Sequence, residues 1–137
     1  MATLKPPANP EADPRVKAVF DDIRTTRKSD FVNNLWHFLA FDPPLLESTW
    51  SEVKKVMATP SQIDPLTKEM IYIAVSIANA CAYCVHSHTA AARGKGMTAA
   101  QHAELLAIVS LAARTNHLAT ALQLPIDAAF DAEAVSP

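Results

Sequence analysis

A chain of 137 residues with a formal net charge of −2, half of it apolar, is long enough for one ordinary domain with its own core. Its lysines and arginines are scattered, which excludes a basic nucleic-acid-binding face. The polar, Pro-rich start has no apolar signal core and no uninterrupted apolar run reaches the length of a membrane span. A protein of the reducing cytoplasm, with neither membrane nor nucleic acid as a partner, is expected.

Residues 1–12 are expected to form a flexible arm and residues 13–137 a single helical domain. Only two glycines are present, while Ala, Leu and Val fill long stretches, a composition that favours helix. Asp13-Pro14 is a cap followed by a first-turn proline, and Val16, Val19, Phe20 and Ile23 recur at helical steps, which predicts a helix over 14–27. Ser29 or Asp30 is expected to cap a second helix, with Phe31, Leu35, Phe38 and Leu39 as its apolar face and Trp36 alongside. Pro43-Pro44 ends it. A third helix over 44–57 places Leu46, Trp50, Val53 and Met57 on one stripe, and Pro60 stops it.

Asp64-Pro65 opens a fourth helix that is apolar on nearly all sides after Tyr72. Such a helix belongs at the centre of a bundle or in a subunit interface. A fifth helix carries both cysteines and runs to about Arg93, with Gly94 or Gly96 as its left-handed cap. Thr98 with Gln101 three residues on predicts a capping box for a sixth helix over 99–122. Pro125 ends that helix, and a short last one is expected over 126–132. With no strand-like alternation anywhere, the fold class is all-α with about six helices.

Candidate chemistry concentrates between Asn79 and Thr89, where both cysteines lie. Cys81, Cys84 and His88 are spaced by three and then four residues, which on a helix puts them within roughly 60° of arc. Three readings are open: a dithiol redox pair, a zinc site completed by His86, His102 or His117, or two small buried side chains beside an ordinary histidine. Haem attachment is excluded, because Val85 stands where the histidine would follow the second cysteine. His37 and His117 read as structural, and Trp36 and Trp50 as core or interface.

A thiol reacts as its thiolate, so the redox reading gains from a histidine one turn away and a carboxylate that orients it. Glu69 is the last carboxylate before the apolar stretch. It is either a solvated first-turn residue or that partner. In one straight helix Glu69 and Cys84 would lie roughly 22 Å apart. A break near Asn79-Ala80 instead makes two antiparallel helices, on which Glu69 faces His88. The same break puts the cysteines in a first helical turn, where the dipole favours thiolate.

Glu69, Cys81-x-x-Cys84-x-x-x-His88 and Gly96 together resemble the signature of the AhpD-like alkylhydroperoxidases of the carboxymuconolactone decarboxylase superfamily. Lys68-Glu69-Met70-Ile71 through Val75-Ser76, and Cys81 to Val85, resemble the family core; Asn34-Leu35 and Phe41-Asp42-Pro43 resemble its leading helices. The resemblance implies an all-α bundle that assembles as a homo-oligomer, a dimer, trimer or hexamer. It implies thiol-dependent reduction of a hydroperoxide, with a thiol or dithiol protein as reductant and no cofactor or metal. By similarity Cys84 is the peroxidatic cysteine, Cys81 its resolving partner, and Glu69 and His88 a proton relay. Tyr83 departs from members that carry a histidine between the cysteines, since a phenol is a poor base at neutral pH. The decarboxylase branch acts on a lactone acid without this cysteine pair. A non-catalytic redox sensor or binding module of the same fold is the other alternative.

Overall fold

The computed structural model, described here for residues 2–131, contains six α-helices and no strand among those residues. They are α1 (Pro14–Arg27), α2 (Asn34–Leu39), α3 (Pro43–Val53), α4 (Pro65–Ala78), α5 (Ala82–Gly94) and α6 (Ala99–Leu122). Short 3-10 turns lie at Pro10–Ala12 and Ala128–Phe130, and a π-helical turn at Lys54–Ala58 follows α3. The chain divides into two compact units, Met1–Pro65 and Leu66–Pro137.

In the first unit the periodicity of α1 is realised directly. Asp13 caps it by accepting from the Arg15 N–H, and Val16, Val19, Phe20 and Ile23 are all buried. Trp36 and Trp50 join them, meeting edge to face with ring centroids 5.4 Å apart. The Asp22 carboxylate accepts from Trp50 Nε1 at 2.6 Å and from Lys54 Nζ at 2.8 Å, which ties α1 to the end of α3. Arg24 pairs with Glu11 and so holds the first 3-10 turn.

The second helix differs from expectation. It begins at Asn34, with Asn33 in the N-cap position, rather than after Ser29 or Asp30. Lys28 closes α1 in the left-handed conformation, Ser29 N–H bonds back to Arg24, and the Ser29 hydroxyl takes the Phe31 N–H. Those residues are used up in the turn. The later start makes Trp36 the buried residue of α2 and leaves Phe31 and Leu35 exposed. The third helix starts at Pro43 and is regular only to Val53, after which its last turn widens to π geometry.

In the second unit Ile73, Ala92, Met97 and Leu105 form the core, with Leu66, Met70, Ile77 and Val109 packed around it. α4 is not buried on all sides within this chain, since Ile71, Tyr72 and Val75 remain exposed. On α6 Leu105 is the buried residue, and residues 110–122 are exposed on every side. By length and composition alone α6 could cross a bilayer. Of the short helix expected over 126–132, a 3-10 turn at Ala128–Phe130 is present, and Ala132 lies outside the described residues.

Candidate active site

The site is built by two helix-ending turns of the same type. At the end of α4, Ala80 takes the left-handed conformation with φ 54°, Ala80 N–H bonds to Ile77 C=O, and Cys81 N–H bonds to Ser76 C=O at 2.9 Å. This is the paired 5→2 and 6→1 bonding of a Schellman motif. The chain therefore reverses at Asn79-Ala80, as the sequence suggests, although Ala80 rather than Asn79 adopts the left-handed conformation. At the end of α5, Gly96 is left-handed with φ 93°, Gly96 N–H bonds to Arg93 C=O, and Met97 N–H bonds to Ala92 C=O. Gly96 thus provides the cap expected of Gly94 or Gly96. The apolar contact that accompanies such a motif is made by buried Ala92 and Met97.

Cys81 closes the first turn and opens the next helix. It is the N-cap of α5 rather than a residue of its first turn, and its Sγ accepts from the Cys84 N–H at 3.3 Å. The two cysteines are joined as a disulfide, with Cα atoms 5.3 Å apart. Cys84 stands in the first turn of α5, three residues into the helix, where the helix dipole favours negative charge. His88 follows one turn later on the same face.

Glu69 reaches this face from α4. Its Oε2 lies 2.7 Å from His88 Nδ1, and its Oε1 accepts from Lys95 Nζ at 2.8 Å. Glu69 is buried, its side chain only 7% exposed, so it is not the solvated first-turn residue of the alternative reading. Burial pushes its pKa up, but the hydrogen bonds from His88 and Lys95 and their charge outweigh that, and the result lies below the ordinary 4.5. Glu69 is therefore an ionised acceptor at neutral pH, and His88 Nδ1 must carry the proton between them. That leaves Nε2 of a neutral His88 with the free lone pair.

Two residues at the site were not singled out from the sequence. Lys95 completes the ion pair, and Tyr72 stacks on the His88 ring with centroids 3.6 Å apart and planes at 20°. Tyr72 could have been found, since it lies three residues after Glu69 on the same helix. Lys95 could not, because its approach depends on the left-handed turn that follows it. An open hollow of about 330 Å³ lies beside Cys81, lined mainly by apolar groups of Ile77, Ala80, Ala82 and Val85, with Ser76 and His86. Among the described residues, no three His, Cys, Asp or Glu side chains are placed to hold a metal ion.

The described residues form an all-helical, AhpD-like fold with a cysteine pair at CxxC spacing. The sequence profile of the carboxymuconolactone decarboxylase family matches residues 44–127, and the chain belongs to that family. A crystal structure of the alkylhydroperoxidase AhpD core from Rhodospirillum rubrum is 64% identical, with a TM-score of 0.92. The match covers 95% of this chain and 97% of that one, which makes this chain AhpD-like. No protein with a curated description matches.

Proposed function

We propose that this protein is a thiol-dependent peroxidase that reduces organic hydroperoxides through the Cys81–Cys84 pair. The family and the AhpD core from Rhodospirillum rubrum support activity of the alkylhydroperoxidase type in general. The observation that carries the dithiol mechanism is the contact between Glu69 and His88, one turn from Cys84. His88 Nε2 takes the Cys84 thiol proton, and Glu69 steadies the imidazolium that forms. The Cys84 thiolate attacks the outer peroxide oxygen, the O–O bond breaks, and the alkoxide leaves as alcohol with the proton held by His88. Cys84 is then a sulfenic acid. The Cys81 thiol displaces its hydroxyl as water and closes the disulfide. Two thiol equivalents from a cytoplasmic reductant protein restore the dithiol and leave as that protein's disulfide.

The test is a single turnover of the reduced Cys81→Ser variant with one equivalent of tert-butyl hydroperoxide. A mass gain of one oxygen at Cys84, trapped by a sulfenic-acid reagent, is expected. Unmodified Cys84 would count against the mechanism and favour a fold-retaining sensor or a decarboxylase-like enzyme.

We further propose that the protein works as a homo-oligomer and that α6 meets a second copy. Ile108, Leu111, Leu118 and Leu122 are all exposed and, with Thr115, repeat at alternating three- and four-residue steps. That spacing is the narrow seam of paired helices. A bilayer is the poorer partner, because Glu104, Arg114 and His117 lie within the same helix.

A further inference from the structure

We propose that Lys95 is a positioning residue for the thiol chemistry, locking the Glu69 carboxylate in the orientation that fixes the tautomer of His88. The proposal rests on the relay reading above but concerns the resting geometry of the site. A carboxylate has two equivalent oxygens and can rotate or take up a proton. Here Lys95 Nζ occupies Oε1 at 2.8 Å, so Oε2 is the oxygen left for His88 Nδ1. Tyr72, stacked on the imidazole, sets the plane of the ring. The ring is thus fixed both in its plane and at one edge, and Nε2 is the basic atom.

The backbone holds Lys95 in this place. It is the C-cap of α5, and its N–H bonds to Ala91 C=O at 3.1 Å and Ala92 C=O at 3.0 Å. Gly96, in a conformation that side-chain-bearing residues avoid, turns the chain directly after it. The side chain is 37% exposed, so the ammonium keeps part of its hydration while its head meets a buried carboxylate. Without Lys95, burial of Glu69 would be opposed by His88 alone, and the carboxylate would take up a proton more readily. A protonated Glu69 donates as well as accepts, and the tautomer of His88 is then no longer dictated. The titratable groups in contact at the site are Glu69 and Tyr72 from α4, His88 from α5 and Lys95 after it. Cys84 lies one turn before His88.

The test compares wild type with Lys95→Met, which keeps the stem and removes the charge, and Lys95→Arg, which keeps charge and donors. Both are checked for helicity by circular dichroism. Nitrogen NMR of His88 reports the tautomer, and carbon NMR of labelled glutamate, assigned with Glu69→Gln, reports the Glu69 titration midpoint. We expect wild type and Lys95→Arg to hold the Nδ1-protonated form. In Lys95→Met the tautomers should mix and the Glu69 midpoint should move up. Alkylation of the reduced Cys84 thiol should slow roughly tenfold, as expected when a proton acceptor loses its alignment. A His88 tautomer and a Glu69 midpoint unchanged in Lys95→Met, or equally disturbed in Lys95→Arg, would overturn the proposal. Both NMR readouts are made without peroxide, so a protein that proved inactive as a peroxidase would still decide the role of Lys95.

Discussion

Glu69 and His88 lie 19 residues apart in the chain and meet at 2.7 Å across the α4–α5 hairpin. Neither helix could present this pair alone. The contact exists because Ala80 turns the chain by one left-handed residue, bringing the second turn of α4 level with the second turn of α5. The carboxylate is buried, bound at both oxygens and ionised, which suits a group that orients a base rather than one that takes the proton itself.

A loss of stability in acid follows from the bonds that His88 and Lys95 make to Glu69. The Glu69 pKa is lowered in the folded chain: burial raises it, but the bonds from His88 and Lys95 prevail. The unfolded chain therefore binds that proton more readily. The stabilisation is complete above the ordinary value of 4.5 and is lost as pH falls through the folded value. Glu11, Asp21, Asp22 and Glu47 are lowered as well, so the useful quantity is the difference from a variant. Denaturation midpoints between neutral pH and pH about 3 should fall more steeply for wild type than for Glu69→Gln. Parallel curves would contradict the assignment.

Catalytic rate should respond to the same change. Glu69→Gln keeps the shape and removes the charge that stabilises the imidazolium, so peroxide turnover should fall roughly a hundredfold, mostly in kcat. Stopped-flow alkylation of the reduced protein should show slower thiolate formation at Cys84. An unaltered pH dependence of alkylation would remove Glu69 from the relay.

The two turns make opposite predictions for the same exchange of residues. Ala80 has a β-carbon at φ 54°, so Ala80→Gly relieves crowding and should stabilise the protein by about 0.5–1 kcal/mol. Gly96 sits at φ 93° with nothing within 4 Å of an added β-carbon, so the cost of Gly96→Ala is one of backbone conformation. It should destabilise by roughly 1–2 kcal/mol. Urea denaturation of both variants measures the pair, and a stabilised Gly96→Ala would contradict the account.

Much of this is legible in the sequence alone. Asp13-Pro14, Asp64-Pro65 and Thr98 with Gln101 marked helix starts because capping and proline geometry are local. The antiparallel placement of Glu69 and His88 followed from asking what would let them meet. The start of α2 differs because the Ser29 side chain, which could cap a helix, instead accepts the Phe31 N–H in the turn after α1. Lys95 was invisible for a related reason. A flexible cation between two glycines carries no periodic signal, and its partner is 26 residues away. The exposed sides of α4 and α6 illustrate a further limit, since an apolar position predicts burial without saying in which chain.

Assembly is tested on α6. Leu111→Asp with Leu118→Asp places two charges in the exposed Ile108–Leu122 stripe. Sedimentation velocity should show the wild type as an oligomer and the double variant shifted towards monomer, with helicity retained. A monomeric wild type would remove the second copy from the account.

The most direct measurement of the central claim is steady-state consumption of tert-butyl hydroperoxide with a dithiol reductant, by wild type and by Cys84→Ser. The account predicts catalytic turnover for the wild type and none above the reagent background for the variant. Equal, slow consumption by both would contradict it.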